Sequence, residues 1–409
     1  QRQMCIRDSP KSSRFGFFPS VSAGWQIAQE RFMNSTRHWL DGLKLRASYG
    51  VIGNQNINPY TFTPSMSVNN KATSWIIDDT YVTSISSLPA LVSQNFTWEK
   101  VGTINVGLDV NLFNNRLSGV FEWYQRNTNG MLAPGVQLPA VVGASAPYQN
   151  TADMRTRGWE LSLNWRDQIG KVGYRIGFNL SDYKSEIIKY DDNAATKLLS
   201  SYYPGQTLGE IWGYVVDGYY TVDDFVDTSS WQLKEGVTSI NGYNVRPGDV
   251  KFKNLRDDDT STNVITSGDN TFDNPGDRKV IGNTTPRYQY GINLGMNYAG
   301  FDLNVILQGT GKRDYWISNV LTFPMNGDNF VPLFEGLSDY WMPKDPDNGD
   351  WSAVNPNAKY PRIYGNRGNS GSNLRQSDKY LSDASYLRIK NITPVSYTHL
   401  RAHETRHDL

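Results

Sequence analysis

The sequence predicts an all-β chain, an antiparallel transmembrane β-barrel fragment of about nine strands with short turns on one side of a membrane and long loops on the other. Three observations lead there. Period-two alternation runs through many ten-residue stretches, short Gly/Asn turns join those stretches in pairs, and long polar connections rich in Gly, Asn, Asp, Pro and Tyr join the pairs to one another.

The strands fall, in order, at 14–27, 43–52, 103–112, 116–125, 159–165, 174–180, 288–298, 301–309 and 385–392. In 103–112, Ile104, Val106, Leu108, Val110 and Leu112 alternate with Thr103, Asn105, Gly107, Asp109 and Asn111. In 288–298, Tyr288, Tyr290, Ile292, Leu294, Met296 and Tyr298 alternate with Gln289, Gly291, Asn293, Gly295 and Asn297. Trp159, Leu161, Leu163 and Trp165 repeat the pattern, as do Tyr174, Ile176, Phe178 and Leu180. Tight turns are expected at Phe113 to Asn115, Asp167 to Lys171 and Ala299-Gly300, with a longer turn from Gln29 to Gly42 on the same side.

What the apolar face meets decides between a barrel and a soluble β-sandwich, because both alternate. Aromatics stand at the ends of the apolar stripes with aliphatics between them, and ring systems favour the headgroup boundary. The other face is Gly, Asn, Ser and Gln, suited to a hydrated lumen or to a plug within it. Ten residues at about 3.3 Å each, tilted near 40°, cover about 25 Å, the height of a barrel's apolar band. Outer-membrane lipid is therefore the expected partner of the apolar face. Trp165, Ile176, Leu294 and Val305 discriminate: all on one uncovered surface in a barrel, buried between two sheets in a soluble module.

Composition excludes other classes. Formal charge is zero over 409 residues, without the basic surplus of a nucleic-acid binder. There is no run of 18 apolar residues, and the negative mean hydropathy suits a barrel as well as a soluble protein. QRQMCIRDSP has no apolar core of a signal peptide, so an exported protein would begin upstream. Cys5 is the one cysteine, and His399, His403 and His407 crowd the end. MCIRDS and PVSYTHLRAHETRHDL resemble translated sequencing-adapter read-through, so 1–9 and 394–409 are set apart as non-native and 10–393 is read as the partial barrel.

Taken together and in order, RFGFFPSVSAGW (Arg14–Trp25), LKLRASYGVIGNQ (Leu43–Gln55), WEKVGTINVGLDVNLFNNRLSG (Trp98–Gly119), MRTRGWELSLNW (Met154–Trp165), GEIWGYVVDGYY (Gly209–Tyr220), PGDVKFKNLRDDD (Pro247–Asp259), VIGNTTPRYQYGINLGMNYAGFDL (Val280–Leu303) and SDASYLRIKNIT (Ser382–Thr393) resemble the barrel region of the SusC/RagA TonB-dependent transporters. The resemblance implies a barrel of about 22 strands in a Gram-negative outer membrane. It further implies an N-terminal plug, coupling to the TonB complex through a segment expected upstream of this chain, a SusD-like lipoprotein outside, and import of oligosaccharide or peptide. No enzyme activity is expected. The alternative is a secreted, soluble β-rich glycan-binding or adhesive module; a passive porin, which carries no plug, is a third reading.

Site residues are read from the loops. Trp212, Tyr214, Tyr219, Tyr220, Trp316 and Trp341 are candidates to stack on sugar rings or to meet a partner, against the reading that long loops use aromatics as their own small cores. The acidic run from Asp249 holds Asp257, Asp259, Asp273 and Asp277, oxygen ligands of the kind calcium takes, but without the spacing, central glycine and terminal Glu of an EF-hand; a solvated acidic loop is the competing reading. No cofactor is otherwise implied. His38 has no second His or Cys near it and is not read as a metal ligand. Lys44, Arg46, Arg175 and Asp302 are lumen-facing charges expected to pair with one another or with a plug, and Glu122 and Glu160 are expected to face the lumen.

Overall fold

Nine strands pair in chain order into a single antiparallel sheet. The computed structural model describes residues 2–4, 15–54, 97–136, 138–144, 146–193, 195–199, 202–256, 263–319, 322–323, 333–364 and 371–397, with short pieces between 63 and 93. The strands are β1 (Ser20–Gln26), β2 (Leu40–Asn54), β3 (Glu99–Leu112), β4 (Leu117–Pro134), β5 (Tyr148–Ile169), β6 (Val172–Tyr190), β7 (Arg287–Tyr298), β8 (Phe301–Lys312) and β9 (Tyr386–Ser396). Each hydrogen-bonds to the next, so the sheet is an up-and-down meander with β1 and β9 at its edges. No helix among the described residues is long and apolar enough to cross a membrane.

Turn chemistry closes the short side. Gly170-Lys171 and Ala299-Gly300 are two-residue turns, the latter with positive φ at both positions, which matches the twist of the flanking strands. Phe113, Asn114 and Asn115 are all left-handed between β3 and β4. The backbone N–H of Phe113 donates to Trp39 O (2.8 Å) and that of Asn115 to Asp41 Oδ2 (2.9 Å), tying this turn to the longer one after β1.

Several strands outrun their apolar stripes. β5 has 22 residues and β6 has 19, where alternation marks only 159–165 and 174–180. At about 3.3 Å per residue β5 approaches 70 Å, far beyond an apolar band of about 25 Å. Pairing continues where neither face is apolar, because backbone hydrogen bonds need no particular side chain. The connection between β4 and β5 is correspondingly short, residues 135–147, rather than the long stretch the stripes suggest.

Register sorts the two faces. One ladder runs Leu117–Trp165–Ile176–Leu294–Val305–Ile392 across β4 to β9. Two residues further along the strands come Gly119–Leu163–Phe178–Ile292–Leu307–Ile389 and then Phe121–Leu161–Leu180–Tyr290–Gly309–Leu387. Among the described residues no second sheet covers this face; Ile176 is 44% exposed, Leu294 37% and Ile389 63%. Such a surface is far larger than soluble proteins leave bare and is what a hydrocarbon solvent requires.

The packed core lies elsewhere, in the connections 191–286 and 313–385. Tyr220, Phe225, Ile240, Val250, Phe252 and Ile265 form its largest part, with a second cluster of Phe323, Leu337, Tyr360 and Tyr380 and a third of Leu198, Tyr203 and Trp212. Short strands thread through it, Glu210–Tyr214 against Arg278–Asn283 and Val216–Tyr219 against Val250–Phe252.

Candidate functional site

The polar face of the wall is built from the residues that alternate with the apolar ladders. Arg46 on β2 stands opposite Gly107 on β3, which stands opposite Glu122 on β4. A Cβ on Gly107 would lie 2.8 Å from Arg46 Cζ, so the glycine leaves the corridor through which Arg46 crosses a strand. Its Nε donates to Asp109 Oδ1 (3.1 Å) and its Nη2 to Glu122, which also accepts from Asn105 Nδ2 (3.3 Å). Glu160 lies directly opposite Glu122, and Arg46 neutralises one member of that like-charged pair. Arg46 thus pairs with neither Lys44 nor Asp302. Among the described residues Lys44, Arg175 and Asp302 form no ion pair; Arg175 lies across Gly295 instead.

At the far end of the wall the two long connections are joined. Tyr214 N–H donates to Gln376 O (2.9 Å), Val216 N–H to Asp378 Oδ1 (2.9 Å) and Arg362 N–H to Gly248 O (2.8 Å). Asp249 is the centre of this seam. Its Oδ2 accepts from Arg246 N–H and Tyr364 OH, both at 2.7 Å, and its Oδ1 from Asn373 Nδ2 at 2.9 Å. Asn373 Oδ1 in turn accepts Val250 N–H (2.8 Å), and Tyr380 OH donates to Asn373 O (3.0 Å). Asp249 is 1% exposed, and burial pushes its carboxyl above the usual carboxylate range against the pull of these donors. Burial and the neighbouring Asp249 push the Tyr364 hydroxyl up as well.

The candidate loop aromatics are distributed through this body. Trp212 is buried and donates to Tyr203 OH (3.0 Å), Tyr214 lies against Phe252 with ring centroids 5.3 Å apart, and Tyr220 OH donates to Thr238 O (2.6 Å). Trp341 is buried on Gly248. Tyr219 is half-buried, its hydroxyl donating to Ala358 O (3.0 Å), and half-buried Trp316 meets Phe323 at 5.7 Å. Their surroundings in the fold are those of small loop cores, with the faces of the four buried rings taken up by neighbours of the same chain.

Among the described residues the acidic run does not converge. Asp257 and Asp259 lie outside the described residues. Asp273 is exposed, while buried Asp277 accepts Leu255 N–H on Oδ1 (3.0 Å) and Thr266 N–H on Oδ2 (2.7 Å), both oxygens serving as backbone ties. Among the described residues no three acidic, His or Cys side chains are grouped to hold a metal ion. Asp249 was visible only as the start of this run. The local signal for its different role is its place after Pro247-Gly248 and immediately before the buried strand at Val250.

Comparison with known proteins agrees with this architecture. The family model for the TonB dependent receptor-like β-barrel matches residues 3–400. TonB-dependent receptor P3 of Formosa agariphila is 28% identical over 94% of this chain and 35% of its own length. TonB-dependent receptor SusC of Bacteroides thetaiotaomicron is 26% identical over 94% of this chain and 34% of its own. The chain spans about a third of the length of these curated relatives. Among solved structures, the RagAB peptide importer in its closed-closed state superposes with a TM-score of 0.68 at 23% identity, over 94% of this chain and 37% of that one, a likeness of fold. The chain belongs to the TonB-dependent receptor-like β-barrel family, a family of outer-membrane receptors of Gram-negative bacteria and not of enzymes.

Proposed function

We propose that this chain supplies part of the wall and part of the outward loops of an active importer of oligomeric nutrients, glycan or peptide, driven through TonB and working with a SusD-like lipoprotein seated on those loops. One observation carries the reading: a single sheet presents uncovered apolar ladders on one side and a Gly/Asn/Ser surface with an ion-pair network on the other, and it ends in a packed body made of two long connections. A polar inner face suits a hydrated passage for large polar solutes. A loop body with its own core provides a firm platform for a partner, which a set of separate loops does not.

The test uses the full-length receptor containing this chain in its native host. Uptake of labelled oligosaccharides and of labelled peptides is compared in the wild type, a receptor deletion and a TonB deletion, and the affinity-purified receptor is probed for a bound lipoprotein. Uptake of one substrate class lost in both deletions, with a lipoprotein co-purifying, is the expected result. Uptake that persists without TonB overturns active import in favour of a passive porin.

A further inference from the structure

The outward end of the lipid-facing side carries two cations that the wall does not neutralise. Pairing between β4 and β5 is regular from Leu117–Trp165 to Gln125–Arg157, and between β5 and β6 from Trp165–Ile176 to Arg157–Lys184. Arg157 and Lys184 therefore lie on the same face as Trp165, Trp159 and Ile176. They stand one pleat beyond the Trp123–Trp159 pair, toward the long connections. Arg157 is directly opposite Lys184, an arrangement that weakens a sheet unless an anion joins it.

The outward acid on this face, Glu186, stands one step beyond them, opposite Arg155 rather than opposite either of them. Both side chains are exposed, and among the described residues neither forms an ion pair. Arg157 Nε donates to Gln125 Oε1 (2.8 Å), which orients the guanidinium without neutralising it. Asp182, one step inward on the same face, is held by the Arg287 guanidinium. Arg155, one step outward, stands opposite Glu186, so that pair is balanced and the surplus charge on this face rests on Arg157 and Lys184.

We propose that Arg157 and Lys184, with Gln125 and Arg155 beside them, form a docking site for the phosphate of a lipid headgroup in the outward leaflet. Tryptophan rings mark the headgroup boundary, and one pleat past them is about 7 Å, a position among the headgroups. Arginine offers a forked pair of donors and lysine a point charge, a combination that suits a phosphate monoester. The alternating residues Tyr124 and Arg126 face the other side of the sheet, so a solute or plug in the lumen does not reach the site. The assignment needs the membrane placement of the apolar face and is independent of what is imported.

The test is native mass spectrometry of the full-length receptor released from phosphatidylcholine nanodiscs doped with lipid A. The wild type is expected to retain lipid A in preference to phosphatidylcholine. Arg157→Gln with Lys184→Gln should lower retention about thirtyfold, and each single substitution about fivefold, at the usual worth of a cation near an anionic surface. Arg157→Lys should keep most of it, and Arg126→Gln, on the opposite face, should change nothing. If the double variant fails to fold, the two single variants decide the matter in its place. Equal retention in the wild type and the Gln variants, an equal loss with Arg126→Gln, or displacement by the same concentration of inorganic phosphate each overturns a lipid-headgroup site.

Discussion

Gly248 lies directly beneath the indole of Trp341: a Cβ on Gly248 would fall 2.2 Å from Trp341 Cε3, and φ at Gly248 is +89°. The contact matters because Gly248 O accepts Arg362 N–H and Gly248 N–H donates to Tyr220 O, so this residue joins the two long connections. Gly248→Ala adds left-handed strain to a clash with a buried ring. A loss of about 2–4 kcal/mol from the loop body is expected. Limited trypsin digestion should cut at Arg246 and Lys251 faster than in the wild type, while the heat-shifted gel mobility of the barrel stays unchanged.

Asp249→Asn should also loosen the seam, by about 2–3 kcal/mol, since an amide nitrogen would replace one of two oxygens that each face donors. The pH dependence carries a definite sign. Burial raises the carboxyl in the folded loops, so the folded state keeps the proton to higher pH than the unfolded chain does. The stabilisation is fully present below the unfolded value, near 4, and fades as pH climbs through the raised folded value. The stability gap between wild type and Asp249→Asn, followed by proteolysis rates, should therefore narrow from pH 4 to pH 7. A gap that widens over that range contradicts the assignment.

The wall strands were readable because two different solvents act on their two faces, and alternation such as that of Tyr288 to Tyr298 records both. Where β5 and β6 leave the apolar band, Arg157 and Lys184 on one face and Tyr183 and Ser185 on the other erase that contrast, and strand length became invisible. Composition could not separate a ligand-stacking tryptophan from a core one, since Trp212 has the same chemistry in either place. Asp249 depends on Tyr364 and Asn373, more than a hundred residues away, and Arg46 on a glycine in the neighbouring strand. Local pattern holds no record of such partners.

Arg46→Ala should cost about 1 kcal/mol, no more, because the three charged side chains are each between a quarter and a third exposed. Part of the loss comes from Glu122 left facing Glu160 without a cation. Glu122→Gln should therefore recover part of the stability of Arg46→Ala, and a double-mutant cycle by urea unfolding in detergent measures the coupling. Gly107→Ala should reproduce the loss of the Arg46–Glu122 bond, because the new methyl meets the Arg46 side chain from Cγ (3.1 Å) to Cζ (2.8 Å) and displaces it from the corridor. Additive effects of Arg46→Ala and Glu122→Gln would show that the network is not a unit.

Ile292 and Asn293 are neighbours in β7 with opposite surroundings, and they offer the sharpest test of which face meets lipid. Ile292 stands between Phe178 and Leu307 in the middle of the three apolar ladders, whereas Asn293 stands between Gly177 and Ile306 on the other face. Arginine at the bilayer midplane of a barrel costs about 2–4 kcal/mol, while a lumen position bathed in water accepts it at almost no cost. Ile292→Arg should lower unfolding free energy in lipid vesicles by that amount and reduce the inserted fraction; Asn293→Arg, with Gly177 leaving room beside it, should do neither. In a soluble sandwich the burden would instead track burial between sheets, and neither substitution would depend on vesicle thickness. Repeating the urea titration in thinner and thicker bilayers separates the two cases, because only a lipid-facing arginine becomes easier to bear as its distance to the headgroups shrinks.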